Sequence, residues 1–238
     1  SRMAVTHSAC MGRAFGPDLV LEAPGFRDVR YPVQIGRGEH WHGVPPEGGL
    51  AEAIALPRHG ELAFDDVYVP AGWFAAGGDP DAGDGVPASR LWCGAAVYKR
   101  FPVTNREYLA FLNDLVATGR EAEALAAVPR EEGGTTGLVG SMLYGRDPDG
   151  RFVLQPDSQG DVWQPDWPVV MIDWHGAVAY ARWAGVRDGQ PWRLPAELER
   201  EKAPRGVDGR TFPWGRIGDP SWSCMRDSHA GRHVPSKI

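Results

Sequence analysis

The clearest periodicity in the chain follows Thr104. Tyr108, Phe111, Leu112 and Leu115 recur at helical spacing and form one apolar face. Thr104-Asn105-Arg106-Glu107 just ahead of them is a capping box: the Thr hydroxyl can accept from the amide three residues on, and the Glu can reach back. A second short helix is expected over residues 120–128, stopped by Pro129. Residues 168–172, Pro-Val-Val-Met-Ile, read as a buried strand running into Asp173, which caps a third helix over 174–184. That helix should turn Trp174, Ala177, Val178, Ala181 and Ala184 inward and stop at Gly185. Pro195 is placed to open a last helix, carrying Glu197, Glu199 and Glu201 and ended by Pro204.

Strand signals are shorter. Val67-Tyr68-Val69 ends at the turn Pro70-Ala71-Gly72, and Trp73-Phe74-Ala75-Ala76 follows, closed by Gly77-Gly78. Residues 79–89 form a polar loop and 91–101 a strand region. Asp147-Pro148-Asp149-Gly150 reads as a turn between hairpin strands inside the loop-rich stretch 133–160. Residues 1–62 read as a leader or small β-rich subdomain with strands at 29–35 and 51–56 and a loop over 36–49. The main domain is set at 63–238.

Composition narrows the function classes. At 238 residues, one domain can bury a large core without disulfides or metal. The 31 glycines and 21 prolines agree with short elements joined by many turns. A net charge of −6 without a basic stripe argues against a nucleic-acid partner. No run of 18 apolar residues is present, so no membrane partner is expected. Three scattered cysteines fit a reducing cytoplasm better than a disulfide framework. The basic residues are almost all arginine, with only Lys99, Lys202 and Lys237 as lysines, a bias suggesting a high-GC bacterial source.

Several groups invite a chemical reading, and each has a plainer one. Cys224, His229 and His233 are soft-metal ligand types, but three ligands without a fourth, near Gly231 and Pro235, read better as a solvated loop. His40 and His42 share a side if extended, yet two ligands in a Gly/Pro loop suit a surface role. Asp79, Asp81 and Asp84 resemble a calcium loop whose twelfth position holds Arg90 instead of glutamate. Cys93, beside Trp92, reads as a buried small hydrophobe. Asp173 and Glu197 are explained as a helix cap and a first-turn carboxylate, and Arg193 as a structural arginine.

Four segments in order carry a family resemblance. Val69-Pro70-Ala71-Gly72-Trp73-Phe74 with Gly77 resembles V-P-A-G-x-F-x-x-G. Residues 103–112, with Thr104, Asn105, Tyr108 and Phe111, resemble V-T-N-x-x-Y-x-x-F. Pro168-Val169 through Trp174, Tyr180 and Trp183 resembles P-V-x-x-V-S-W-x-x-A-x-A-Y-x-x-W. Arg193-Leu194-Pro195, Glu197, Glu199, Glu201, Arg205-Gly206 and Phe212-Pro213-Trp214-Gly215 resemble R-L-P-T-E-x-E-W-E, A-R-G and [YF]-P-W-G. Together they resemble the formylglycine-generating-enzyme, or sulfatase-modifying-factor, superfamily, in the form appended to bacterial multidomain proteins such as Ser/Thr kinases.

The resemblance implies an α+β, loop-rich, C-type-lectin-like fold, with two or three short helices on small twisted antiparallel sheets. It makes Thr104, Asn105, Trp174, Trp183, Arg193, Glu197 and Trp214 structural motif positions. Trp73, Trp174, Trp183 and Trp214 should then be core, while Trp163, Trp167, Trp192 and Trp222 lie in loops suited to a binding surface. Ala196, Arg200 and Pro204 depart from the motif.

The family's later G-N-V-x-E-W and R-G-G-S-W segments do not occur before Ile238. The copper-binding cysteine pair and most calcium ligands of the complete family domain fall in that part. No catalytic residue and no cofactor therefore carry over to this sequence. The expectation is a non-catalytic binding or regulatory module with a protein partner, including a C-terminal fragment or second chain that completes the fold. The rival is a metal-dependent oxidase whose cysteines lie on another segment.

Overall fold

The computed structural model describes residues 4–7, 18–35, 37, 43–80, 82–131, 140–158 and 160–223. The chain divides into two compact units, one of residues 1–100 and 195–222, the other of 101–194 and 223–238. The architecture is α+β, with four short helices and small antiparallel sheets among the described residues.

In the first unit, β1 (Ala4–His7), β2 (Asp18–Glu22) and β3 (Val29–Pro32) form an antiparallel sheet in chain order. Leu21, Val29, Tyr31 and Val33 make its buried cluster. Residues 51–56, expected as a strand, form none; Ile54 and Leu56 pack on that cluster from irregular backbone. Alternation alone could not distinguish the two, because an extended loop laid on a sheet also buries every second side chain.

The next four strands form one interrupted hairpin. β4 (Asp66–Val69) pairs with β7 (Ala96–Lys99), and β5 (Gly72–Ala76) pairs with β6 (Ser89–Cys93). Val69 faces Ala96 and Gly72 faces Cys93, so both ladders keep one register across the gap at residues 70–71 and 94–95. Pro70 has no N–H to give to a ladder, which accounts for the break on its side. Phe74, Ala76 and Cys93 are buried together with Leu91 against them.

Helix α4 (Glu197–Arg205) belongs to the same unit. Pro195 precedes its cap Ala196, and Pro204 lies inside its last turn, so the helix starts later and ends later than the sequence suggested. Ala196 has no side-chain acceptor, but Glu199 Oε2 still accepts from Ala196 N at 2.7 Å, half of a capping box. A 3-10 turn, Pro220–Trp222, follows.

The second unit is built on α1 (Asn105–Ala117), α2 (Glu121–Ala127) and α3 (Trp174–Asp188), with the hairpin β8 (Tyr144–Arg146) and β9 (Phe152–Leu154). The capping box at Thr104 is complete. Tyr108, Phe111, Leu112 and Leu115 are buried as the periodicity required, and Tyr180 and Ala184 of α3 join them. Asn113 Nδ2 donates to Phe152 O at 3.0 Å and its Oδ1 accepts from Phe152 N at 2.7 Å, fixing β9 against α1.

Three expectations fail here. Residues 168–172 contribute a single bridge, Thr104 to Pro168, rather than a buried strand. Val170 and Met171 are exposed, and Met171 has φ 58°, which breaks any extended run. α3 runs past Gly185 to a left-handed cap at Gly189, and its inner residues are Gly176, Tyr180 and Ala184. Trp174 is 65% exposed instead of core. The apolar residues of this helix go nearly all round it, so periodicity could not choose the buried face.

Candidate functional site

The family-motif positions first explain the scaffold. The amides at the start of α1 need partners. Asn105 N donates to Trp167 O at 2.9 Å and Arg106 N to Pro165 O at 2.8 Å, so the loop 164–167 closes the helix end. Asn105 itself is buried, donating from Nδ2 to Gln164 O at 2.9 Å and accepting from Tyr144 Oη at 2.6 Å.

In the first unit, Gly77 N donates to Glu201 Oε1 at 2.7 Å, and Arg205 donates to Gly77 O at 2.8 Å. Arg205 and Glu201 also pair with each other. One glycine's amide and carbonyl are thus both held by a single ion pair on α4.

Beside this clamp lies the most site-like feature. Lys202, also on α4, is only 5% exposed. Its ammonium donates to Pro70 O at 2.6 Å and Cys93 O at 3.0 Å, one carbonyl from each side of the break in the hairpin. Burial pushes the Lys202 amine down from its usual range, opposed by the nearby Cys93 and Glu52. Burial pushes the Cys93 thiol up, with Lys202 working against it and Glu199 with it. The hydroxyls of Tyr31 and Tyr68 are likewise raised, by burial first and Glu52 second.

A cavity of about 280 Å³ opens here. β3 contributes Tyr31 and Pro32, followed by Gln34; residues 70–75 form another wall, and Arg90, Lys202 and Val207 complete it. Trp73 is fixed by an indole bond to Val44 O at 2.8 Å and by an edge-on contact with Trp92. The Arg90 guanidinium sits 5.4 Å from the Trp73 ring centroid. Among the described residues, the lining therefore carries two cationic side chains, three aromatic ones, and no carboxylate. Such a set can bind and orient a ligand.

The residues singled out from sequence scatter over the two units. Trp163 and Trp167 meet edge to face at 6.3 Å, and Trp163 donates to Asp157 Oδ2. The Trp167 indole N–H is buried with no acceptor. Trp192 is half-buried and donates to Asp188 Oδ2 at 3.0 Å. In the first unit, Trp214 stacks on Phe212 at 5.4 Å and meets Trp222 edge-on at 6.1 Å. Trp183 and Trp214 are half-buried; Trp183 packs against the second unit's core and donates to Asp114 at 2.9 Å. Glu197 lies exposed in the first turn of α4, and Arg193 donates to Leu194 O. Cys224, His229, His233, Asp81, His40 and His42 lie outside the described residues.

Sequence reasoning missed Tyr31, Arg90 and Lys202. Lys202 had a signal, since it is one of three lysines in an arginine-rich chain. Among the described residues, no three His, Cys, Asp or Glu side chains gather as a metal site.

Comparison with known proteins follows the same lines. The model of the sulfatase-modifying factor enzyme 1-like domain matches residues 55–234. A formylglycine-generating enzyme of Thermomonospora curvata is 33% identical over 187 residues, covering 67% of this chain and 56% of that protein. A mouse protein named inactive C-alpha-formylglycine-generating enzyme 2 is 31% identical over 167 residues, covering 65% of this chain and 52% of its own. The structure of PvdO from Pseudomonas aeruginosa aligns with a TM-score of 0.42 at 25% identity, over 62% of this chain and 49% of that one. The chain spans about half the length of these curated relatives.

Proposed function

Since the chain belongs to the sulfatase-modifying factor enzyme 1-like family, matched over residues 55–234, we propose that it works as a non-catalytic binding or regulatory module of a larger bacterial system. The observation that carries this reading is the cavity at Lys202, whose cationic and aromatic lining is built for recognition. Cys93, the only cysteine among the described residues, is buried, with its thiol pushed up, which suits packing and not nucleophilic attack. Relatives bearing the word inactive in their names support a family that includes members without the oxidase activity.

The second reading is a formylglycine-generating-type oxidase whose cysteine pair lies on a segment outside this chain. It is favoured by the chain's likeness to proteins named formylglycine-generating enzyme while spanning about half of the Thermomonospora curvata one. The two readings separate in one experiment. The full-length gene product that includes this chain is supplied with copper(I) and a cysteine-containing peptide, and metal uptake, oxygen consumption and aldehyde formation are followed. The binding-module reading expects no stoichiometric copper and no aldehyde. Tight one-to-one copper uptake with turnover would overturn it.

A further inference from the structure

The geometry points to the cavity beside Lys202 as a site for a carboxylate attached to a flat, apolar body, such as an aromatic acid or the terminal residue of a peptide. This inference rests on the binding-module reading and names the ligand chemistry of the same cavity.

The charge argument comes first. The chain carries a net −6, yet among the described residues this cavity is lined by Arg90 and Lys202 and by no acidic side chain, Glu52 acting on Lys202 from outside the lining. Arg90 makes no ion pair among the described residues and is held instead over the Trp73 ring. A guanidinium stacked on an indole keeps its edge N–H groups free for a planar, two-oxygen acceptor, which is the shape of a carboxylate. At the inner end, the Lys202 ammonium spends two of its three donors on Pro70 O and Cys93 O. An incoming anion would offset the cost of burying that charge.

The shape argument is independent. The cavity holds about 280 Å³, or roughly nine waters at about 30 Å³ each. That suits one small ring with its carboxyl group. Tyr31 and Trp73 supply the apolar walls. Trp73 is pinned by its bond to Val44 O, so the wall is formed before any ligand arrives. A Cβ at Gly72 would stand 2.9 Å from Tyr31 Oη, so the absence of a side chain there lets the Tyr31 ring approach β5. Tyr31, Pro32 and Gln34 lie ahead of the family match at residue 55. The N-terminal sheet thus supplies a wall that the family model does not include.

The test uses the full chain and titrates benzoate, benzamide, acetate and inorganic phosphate, read by Trp fluorescence and calorimetry. Two peptides, Ala-Ala-Phe as free acid and as amide, separate a peptide end from a free acid. Saturable binding of benzoate or the free-acid peptide is expected, at least tenfold tighter than benzamide, acetate, phosphate or the amidated peptide. Whichever of the two acids binds more tightly identifies the source. Arg90→Gln should weaken binding about tenfold, and Arg90→Lys should restore only part of it, because a lysine keeps the charge without the fork. No saturable signal with either acid, equal binding of benzamide or phosphate, or unchanged affinity in Arg90→Gln would overturn the assignment. Arg90 is exposed and makes no ion pair among the described residues, so its variants should fold. Copper uptake and aldehyde formation read the binding-module proposal separately, so the two can fail independently.

Discussion

Tyr144 donates its hydroxyl to Asn105 Oδ1 at 2.6 Å, and both side chains are buried. Asn105 spends its other end on Gln164 O, so one amide fixes the β8 strand and the loop that closes α1. Asn105→Ala leaves the Tyr144 hydroxyl and the Gln164 carbonyl without this partner and should cost about 2–4 kcal/mol. Tyr144→Phe removes one bond and should cost about 1–2 kcal/mol. Urea unfolding of both single variants and the double variant checks this. Strictly additive losses would show that the two side chains act separately.

Lys202 is expected to matter for stability as well as recognition. Lys202→Met keeps the length of the stem but leaves Pro70 O and Cys93 O without their donor inside the hairpin break. A loss of about 2–4 kcal/mol is expected from two buried acceptors, lessened by the desolvation no longer incurred. Denaturant midpoints measure it. A neutral or stabilising result would mean water takes over both carbonyls.

Gly77 should tolerate no side chain. Its φ is 64°, and a Cβ would stand 2.6 Å from Pro87 O and 2.7 Å from Val86 O, both backbone atoms. Gly77→Ala must therefore shift the loop that Glu201 and Arg205 hold. A cost of about 2–4 kcal/mol is expected from strain and lost bonds together. Gly94→Ala, where an added Cβ meets nothing within 4 Å, is the control and should stay within about 0.5 kcal/mol.

Alkaline pH should weaken the second unit through Tyr180. Burial, helped by Glu107 and opposed by Arg187, pushes its hydroxyl from 10.0 to about 12. Between those values the unfolded chain has lost a proton that the folded chain keeps. Stability is therefore unaffected by this group below pH 10 and falls as pH rises from 10 to 12. At about 1.4 kcal/mol per unit, the loss approaches roughly 3 kcal/mol. Unfolding free energies at pH 9, 10, 11 and 12 should fall more steeply in the wild type than in Tyr180→Phe. Equal slopes would refute it.

The sequence by itself determined what neighbouring residues decide between them. The Thr104 box, the Asp173 cap and the 147–150 turn all form as read, because each is closed by bonds spanning three or four residues. The ordered motifs likewise pointed to the family that the chain matches. Where local preference was balanced, as at Met171 or around the many-sided α3, the reading failed.

Tertiary structure alone decided the cavity. Lys202 lies 132 residues from Pro70 and 109 from Cys93, and Glu201 lies 124 from Gly77. No periodicity announces such meetings, because the energy that makes them comes from packing α4 on the interrupted hairpin, not from any preference of lysine or glutamate for its own neighbours. A lysine in a short charged helix reads as solvated until the fold supplies two orphaned carbonyls and removes the water.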